Sequence, residues 1–491
     1  ASGGGSTPDP LTSQFEFHRS LSRMLASVVS GHLAHITSNK KVLDETTRDS
    51  RCFSNFLRLL VDMLHHPSGR IAMEQLQLWT NLFRDPQITN KKYRILRPFA
   101  AELVTCYTDQ MVRLRWEDVE EQTHPYSSLM EASFDDEEEY DNWWVEYRSK
   151  ATQFFKYLGN CEPQISSQVL STRVQSLIAN HGNGEPRDHL EPSNQQLTQS
   201  SEAVRQMEGV VHPMENILCG LPPWALTQPA GETPGTRSQI RAETTAALAQ
   251  MAQAIVNWNP TYLWLKMRRA QLLEGLKYIW KHDQSTLLQG IDSLLGYIRV
   301  QDEWGGGGRE PDGTTSLSME TVGLRKRSST ALVSVAKLVP QHLVPWLSQL
   351  SDAARSVLSV NDLAPSNRMH LYEFLSCVAT AVDDPSQRAN FIENVLSDAL
   401  NNLQSAETLE AISSVDGFLA MTGVTMAGQN PASVTDTATV KETSNRFSRI
   451  FSAYNQLLSV GRRCHEATKK RPGGGLPMSL ISPEQLSTMD E

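Results

Sequence analysis

The sequence predicts an all-α fold, arranged as an α-solenoid of stacked helical hairpins. Apolar residues recur at i, i+3, i+4 and i+7 along most of the chain, which is the spacing of an amphipathic helix. No stretch alternates β-branched residues as a strand would. The 491 residues also exceed the core of one ordinary domain, so an elongated repeat array or several domains are expected.

The clearest hairpin lies between Phe53 and Pro86. Its two apolar stripes are Phe53, Phe56, Leu57, Leu60 and Leu64, then Ala72, Leu76, Trp79, Leu82 and Phe83. They meet at His66-Pro67-Ser68, where a proline suits the start of a helix. A cap or core role is favoured over metal binding for His65 and His66. The hairpin cannot bury both stripes alone, so similar hairpins must stack beside it.

The same periodicity places further helices in order along the chain. They are predicted at about 13–38, 50–65, 68–84, 92–114, 140–160, 163–180, 200–219, 238–257, 260–282, 284–300, 315–338, 341–358, 366–382, 387–403, 406–423 and 437–470. The resulting units of ~40 residues with loose spacing are closer to HEAT or armadillo repeats than to stricter repeat families.

Breaks in this periodicity divide the chain into segments. We expect a flexible segment at 1–12, HEAT-like repeats at 13–181, a loop or disordered insertion at 182–199, repeats at 200–300 with a Pro/Gly-rich loop near 221–237, a Gly-rich loop at 301–314, repeats at 315–470 and a flexible tail at 471–491. The four glycines of 305–308 follow no buried strand, so they predict a linker and not a phosphate cradle.

Composition and motifs exclude several classes of protein. No P-loop, dinucleotide fingerprint, nucleophile elbow or metal-binding motif is present, so we expect neither an enzyme nor a bound cofactor. The six cysteines lie far apart, which predicts reduced thiols. No run approaches the ~20 apolar residues needed for membrane insertion. The net charge of −10 argues against general coating of nucleic acid, although a local basic face is compatible with it.

A cationic cluster precedes three hydroxyl residues at Arg325-Lys326-Arg327. Ser328, Ser329 and Thr330 follow at once, so three cations and three hydroxyls fall within two helical turns. A solvated helix start is one interpretation. However, cations near a helix N-terminus oppose the helix dipole, which makes phosphate binding the alternative.

More cations occur toward the C-terminal end of the chain. Arg446 and Arg449 share one helix face at i, i+3, and Arg462 and Arg463 follow about four turns later. Each cation that engages a backbone phosphate would add a salt-dependent increment of affinity. Without such a partner these residues only increase solubility.

An acidic run at Asp135, Asp136, Glu137, Glu138 and Glu139 precedes an aromatic helix. A solvated loop leading into a negatively charged helix start is the structural interpretation, since the helix dipole favours acids there. The functional interpretation is a patch that attracts a basic partner surface, or that repels nucleic acid from the wrong side of a helical arch.

Ordered motifs across the chain resemble the middle of exportin-5 and its relatives, which are importin-β-type karyopherins. These motifs are His66-Pro67-Ser68, Trp79 with Leu82 to Pro86, Phe134 to Glu138, Pro340 to Pro345, Leu371 to Leu375, Val415 to Ala420 and Arg446 to Cys464. The resemblance implies a HEAT-repeat arch, with further repeats before Ala1 and after Glu491.

The resemblance also implies a nuclear export receptor that shuttles between nucleus and cytoplasm. Its partners would be Ran in the GTP form, FG-repeat nucleoporins, and a cargo of structured RNA (pre-microRNA) or phosphoprotein. GTP would be bound by Ran and not by this chain.

Positions of an RNA-binding tunnel carry over to Gln153, Lys326, Thr330 and Arg446 by local alignment. Arg446 keeps the residue type of the animal proteins. Lys326 stands where arginine is expected, so it keeps the charge but loses bidentate recognition of phosphate. Gln153 replaces an acid. The runner-up hypothesis is a HEAT-repeat scaffold that organises protein complexes without transport.

Overall fold

The computed structural model describes residues 10–38, 50–89, 95–181, 201–229, 234–301, 317–360, 363–422 and 450–465. Within these ranges all regular structure is helical and no residue forms a strand. The predicted all-α solenoid is therefore confirmed. The chain divides into two compact units, residues 1–289 and 290–491.

The first unit contains the helices α1 to α12, together with the start of α13. Their bounds are α1 Pro10–Ser38, α2 Ser50–Leu64, α3 Gly69–Arg84, α4 Arg97–Asp109, α5 Trp116–Glu120, α6 Ser127–Glu131, α7 Glu137–Cys161, α8 Pro163–His181, α9 Glu202–Gly220, α10 Thr236–Asn257, α11 Leu263–Gly275, α12 Lys277–Trp280 and α13 Leu287–Ile298. A 3₁₀ turn at Pro223–Ala225 precedes α10.

Alternate helices of this unit pack into two rows. One row runs α1, α3, α7, α9 and α11, and the other runs α2, α4, α8 and α10, with each helix contacting the next in its row. Each helix therefore buries its apolar stripe against helices of its own row and of the other row. This two-layer stack is the arrangement that the hairpin periodicity predicts.

Aromatic residues fill the core between the two rows. The Tyr107 ring lies 4.6 Å from the Phe154 ring between centroids, and its hydroxyl donates to the Ala72 carbonyl at 3.2 Å. The Tyr147 hydroxyl donates to Gln110 Oε1 at 3.1 Å. These rings are fully buried, as is Trp79. Burial of one such side chain contributes roughly 1.5–3 kcal/mol to folding.

Two glycines allow α7 and α9 to approach closely. A Cβ at Gly159 would lie 2.6 Å from the Ile217 carbonyl oxygen, and one at Gly220 would lie 2.2 Å from the Lys156 carbonyl oxygen. Since both obstacles are backbone atoms, neither can move aside without shifting a helix. The spacing of α7 and α9 therefore depends on both glycines.

The second unit contains the remaining helices. Their bounds are α14 Met319–Leu338, α15 Pro340–Leu343, α16 Leu347–Leu358, α17 Pro365–Ala379, α18 Pro385–Leu403, α19 Ala406–Ile412 and α20 Val415–Thr422, with α21 at residues 450–465. A 3₁₀ turn at Val344–Trp346 links α15 to α16. The central helix is α17, which packs against α14, α16 and α18. Gln456 donates to the Val395 carbonyl at 2.9 Å and so joins α21 to α18.

Four helix predictions differ from the structure. The helix expected at 341–358 is divided by the 3₁₀ turn at Val344–Trp346, which contains Pro345. The helix expected at 92–114 is shorter, because Pro98 sits in its first turn and α4 ends at Asp109. The helix expected at 260–282 is broken after Gly275, a residue that commonly ends helices. The helix expected at 406–423 is interrupted at 413–414. In addition, α5 and α6 were not predicted, since five residues are too few to show periodicity.

Several expected segments lie wholly or mostly outside the described residues. These are the terminal segments 1–12 and 471–491, the insertion at 182–199, the Gly-rich loop at 301–314, and the parts of the helix at 437–470 that flank residues 450–465.

Gly159→Ala should lower the stability of the first unit. Overpacking against the Ile217 carbonyl costs about 1–3 kcal/mol, and the better helix propensity of alanine offsets about 1 kcal/mol of that loss. Gly31→Ala is the matched control, because nothing lies within 4 Å of its Cβ position. Thermal unfolding should show a lower midpoint for Gly159→Ala and an unchanged or higher one for Gly31→Ala. Equal midpoints would show that α7 and α9 separate without cost.

Candidate functional site

The predicted cationic cluster lies within α14, where burial differs sharply from one residue to the next. Arg325 is only 1% exposed, and its Nε and Nη2 donate to the Val300 carbonyl at 3.0 and 2.8 Å. The helix also begins at Met319, so Arg325 does not lie in its first turn. The prediction that Arg325 binds phosphate is wrong, because this guanidinium is buried and binds the end of the segment that follows α13.

Lys326 and Thr330 share one exposed face of α14. They lie one turn apart, and the Thr330 hydroxyl donates to the Lys326 carbonyl at 2.8 Å. Lys326 forms no ion pair with any described residue, so its ammonium group is available to an anion. Arg327 is only partly exposed. Of the phosphate-binding surface predicted at 325–330, only Lys326, Thr330 and part of Arg327 are exposed.

A polar network lies beneath this face. The buried Ser329 hydroxyl is within hydrogen-bond distance of Asn367 Oδ1, at 3.1 Å, and of His370 Nδ1, at 3.0 Å. Burial lowers the pKa of His370, and nearby Lys337 and Lys326 lower it further, while Glu373 raises it. The network therefore fixes α14 against α17 directly below Lys326.

Glu373 joins three helices of the second unit. Its buried carboxylate accepts from Lys337 Nζ of α14 at 3.2 Å and from Arg463 Nε of α21 at 2.6 Å. Because both cations approach the same oxygen, Oε1, they balance a carboxylate that would be costly to bury alone. Arg463, which the sequence grouped with solvated cations, is thus a structural residue in this unit.

The other predicted RNA-binding positions lie elsewhere. Gln153 is exposed on α7, in the first unit. Arg446 and Arg449 lie outside the described residues. The structure therefore places Lys326, Arg327 and Thr330 together on α14. Gln153 lies on a different helix, α7, and none of the other predicted RNA-binding positions that the structure describes is on that helix.

The acidic run at the start of α7 has both structural and exposed members. Asp136 caps the helix, since its side chain accepts from the Glu139 amide at 2.8 Å. Glu139 forms an ion pair with Arg70 and accepts from the Asp135 amide. Burial acts to raise the pKa of Glu139, but the hydrogen bond from the Asp135 amide and the ion pair with Arg70 together lower this pKa below its usual value. The side chains of Asp135, Glu137 and Glu138 remain exposed and make no ion pair with a described residue.

A cavity of about 460 Å³ lies beside this acidic run in the first unit. Its wall comes from the α2–α3 turn, the end of α4, the segment with α5 and α6, the starts of α7 and α9, and Arg173 of α8. Sequence reasoning missed it, because these wall residues are scattered between positions 64 and 206. The dense aromatic residues of 116–147 are the one sequence signal that could have indicated it.

His65 and His66 lie in the turn between α2 and α3, and His66 has the structural role that the sequence favoured. His66 Nδ1 accepts from the Ser68 amide at 3.1 Å, and its ring lies 5.5 Å from the His18 ring. Burial lowers the pKa of His66, and His18 adds to this effect. Among the described residues, no group of three or more His, Cys, Asp or Glu side chains could hold a metal ion. No described helix is long and apolar enough to span a bilayer.

Comparison with protein families gives a match that covers most of the chain. The sequence model of the protein family described as "Exportin-5: Exportin-5 family" matches residues 12–459. No curated protein matches the chain significantly. The resemblance found in the ordered motifs is therefore confirmed by a match that spans both units.

Glu373→Gln should loosen the second unit. The change leaves Arg463 and Lys337 without a counter-charge, at a cost of about 3–5 kcal/mol for a buried pair. Hydrogen exchange should accelerate in peptides from α17 and α21 and stay unchanged in the first unit. Asp352→Asn is the control, since its pair with Arg355 is exposed and contributes less than ~1 kcal/mol. Similar exchange in the two variants would mean that Glu373 does not hold these helices together.

Proposed function

Since the chain belongs to the Exportin-5 family, whose members are nuclear export receptors, we propose that it carries phosphate-bearing cargo out of the nucleus together with Ran in its GTP form. The observation that carries this proposal is the family match over residues 12–459. The cargo would be a structured RNA such as pre-microRNA, or a phosphoprotein.

Coupling between Ran and cargo follows from what a helical stack can do. Many small contacts between neighbouring hairpins set the conformation of such a stack. Two ligands that prefer the same conformation bind cooperatively even without touching each other. The chain has no P-loop of its own, so the GTP in this scheme belongs to Ran.

The exposed face of α14 supports phosphate binding. Lys326 has an unpaired ammonium group among the described residues, and the Thr330 hydroxyl lies one turn away. Lysine binds phosphate as a point charge, which gives affinity without the bidentate geometry of arginine. A lysine can therefore form a sequence-independent contact with the phosphate backbone of an RNA. It can equally bind the phosphate of a phosphorylated side chain.

The distribution of charge is compatible with an anionic cargo. Residues 115–139 contain ten Asp and Glu residues against one Arg, a net charge of −9, whereas the whole chain carries −10. The remainder of the chain is therefore almost neutral. The overall acidity reflects one segment and does not oppose phosphate binding elsewhere.

The remaining parts of the proposal are passage through the nuclear pore by contact with FG-repeat nucleoporins, and release of cargo in the cytoplasm after GTP hydrolysis on Ran. Both follow from the family. The competing hypothesis, a scaffold without transport, would need neither Ran nor the pore.

Recovery of the protein on immobilised Ran should depend on the bound nucleotide. Ran locked in its GTP form should retain the protein, and Ran in its GDP form should retain much less, because only one form of the switch is expected to favour the cargo-bound conformation. Addition of a hairpin RNA or of a phosphoprotein should increase recovery on Ran-GTP if it is the cargo. Equal recovery on the two forms would favour the scaffold.

Lys326→Ala should weaken binding of the cargo and reduce its dependence on salt. Loss of one phosphate contact reduces the slope of log K against log salt by roughly 0.7–0.9. Lys326→Arg should keep or improve binding, since it retains the charge and adds bidentate geometry. Arg355→Ala is the control, because Arg355 is an exposed cation elsewhere in the same unit. A slope that is unchanged in Lys326→Ala would place the cargo elsewhere.

A further inference from the structure

The segment between α4 and α7 forms a folded wall and not a flexible loop. Val119, Met130 and Phe134 pack with Tyr140 in a small core of their own, and Trp143 packs against it. We call residues 115–139 the acidic insertion. It begins after α4 and ends in the first turn of α7, so it includes both α5 and α6.

Polar contacts hold the acidic insertion in place. Asp118 forms an ion pair of 2.7 Å with Arg205 of α9, and both side chains are largely buried. Gln122 adopts a φ of 54° and donates to the Val119 carbonyl and to Glu131 Oε2, at 3.0 Å each. A non-glycine residue persists in this conformation only where its surroundings fix it. The insertion is thus a defined element docked on α7 and α9.

The acidic insertion and α7 form one side of the 460 Å³ cavity. From the insertion come His124, Tyr126 and Met130, and from α7 come Tyr140, Trp143 and Trp144. A cavity of this size falls within the range of binding sites for small molecules, and it can hold a large side chain. The aromatic and sulfur-containing part of the wall favours an apolar or aromatic group. Asp109, Arg173 and Glu202 add charged side chains elsewhere in the wall.

Trp143 presents an unused donor in this wall. Its indole Nε1 is buried and has no hydrogen-bond partner. The ring is fixed in place, stacked 5.1 Å from the Tyr147 ring, and it lies against Gly69, where a Cβ would be only 2.7 Å from its Cη2 atom. Buried donors are normally paired, so an indole N–H left over in a cavity wall suggests an acceptor supplied by an occupant.

The acidic insertion, which forms part of the cavity wall, carries eight exposed carboxylates. They are Glu117, Glu120, Glu121, Glu131, Asp135, Asp136, Glu137 and Glu138. None forms an ion pair with a described residue of this chain. Such a concentration of one sign of charge attracts cations and repels phosphates. The occupant should therefore carry positive charge around its apolar part.

We propose that this cavity binds an aromatic side chain of a basic segment of a partner protein, whose flanking lysines or arginines face the exposed carboxylates of the acidic insertion. The aromatic anchor fills the space between Tyr126, Met130 and Trp143. A main-chain carbonyl of the segment accepts from Trp143 Nε1. The proposal is independent of the cargo proposed above, because phosphate-bearing molecules are repelled from this surface.

Synthetic peptides test the two halves of this site, without Ran or cargo. The first probe is a dodecapeptide with one tryptophan flanked by arginines. The second has alanine in place of tryptophan, and the third keeps tryptophan but has glutamine in place of each arginine. We expect the first probe to bind at least about tenfold more tightly than either of the others, because an aromatic anchor and complementary charge both contribute. Equal binding of the first two would indicate adhesion by charge alone and would overturn the proposal.

Tyr126→Ala tests the anchor within the protein. Tyr126 is 48% exposed at the cavity, so its loss should not unfold the unit. The first probe should bind about tenfold more weakly, as is typical when a wall of an anchor pocket is removed. Tyr126→Phe keeps the ring and should bind like the unmodified protein. Unchanged binding to Tyr126→Ala would show that the anchor does not enter this cavity.

A matched pair of triple variants tests the charge. Glu120→Gln, Glu121→Gln and Asp135→Asn together remove three exposed charges from the acidic insertion. Asp292→Asn, Glu393→Gln and Glu410→Gln together remove three exposed charges from the second unit. The first set should slow association of the arginine-rich probe about tenfold at low salt, and the second should leave it nearly unchanged. Equal effects of the two sets would mean that only the net charge of the protein matters.

A hairpin RNA should not compete with the first probe, because the acidic insertion repels phosphates. Displacement of the probe by the RNA would contradict the proposal.

Discussion

Each long helix of the first unit must bury an apolar stripe against a helix two positions away along the chain, and the rest of the unit depends on this requirement. This requirement produces the two rows of helices. It also means that a small change in the distance between neighbouring helices of a row disturbs their packing. The crossing of α7 and α9 illustrates this point, since Gly159 and Gly220 each meet a carbonyl of the other helix. Because every helix serves as a wall for the next, a change in one spacing is transmitted along the row.

Buried and partly buried arginines complete the stack at the ends of helices. Arg325 binds the Val300 carbonyl, Arg269 binds the carbonyls of Ile255 and Val256, and Arg368 binds those of Leu358 and Val360. Carbonyls near a helix C-terminus lack partners within the helix, and burial would otherwise leave them unsatisfied. These guanidinium groups thus satisfy carbonyls at the ends of three of the described helical segments. They are not available to an anionic ligand.

The sequence predicted the helices well because each long helix carries its own periodic stripe. It failed where a role depends on orientation or on contacts between distant segments. Arg325 and Lys326 are adjacent, yet one step along a helix turns a side chain by about 100°, which places one in the core and the other in solvent. The cavity itself could not be located from the sequence, because its wall joins residues from six separate segments, although the aromatic residues of 116–147 mark part of it. The short helices α5 and α6 show no period of their own and are held by their tertiary contacts.

The acidity of this chain is best understood as a local property. The acidic insertion carries a net charge of −9, and the remaining residues are nearly neutral. Solvent ions screen such a field within about 8 Å at physiological ionic strength. A phosphate at Lys326 is therefore repelled only if it lies within that distance of the insertion. On the two proposals made above, the acidic insertion would select a cationic ligand and reject phosphate, whereas Lys326 would do the opposite, so charge alone would separate the two ligands.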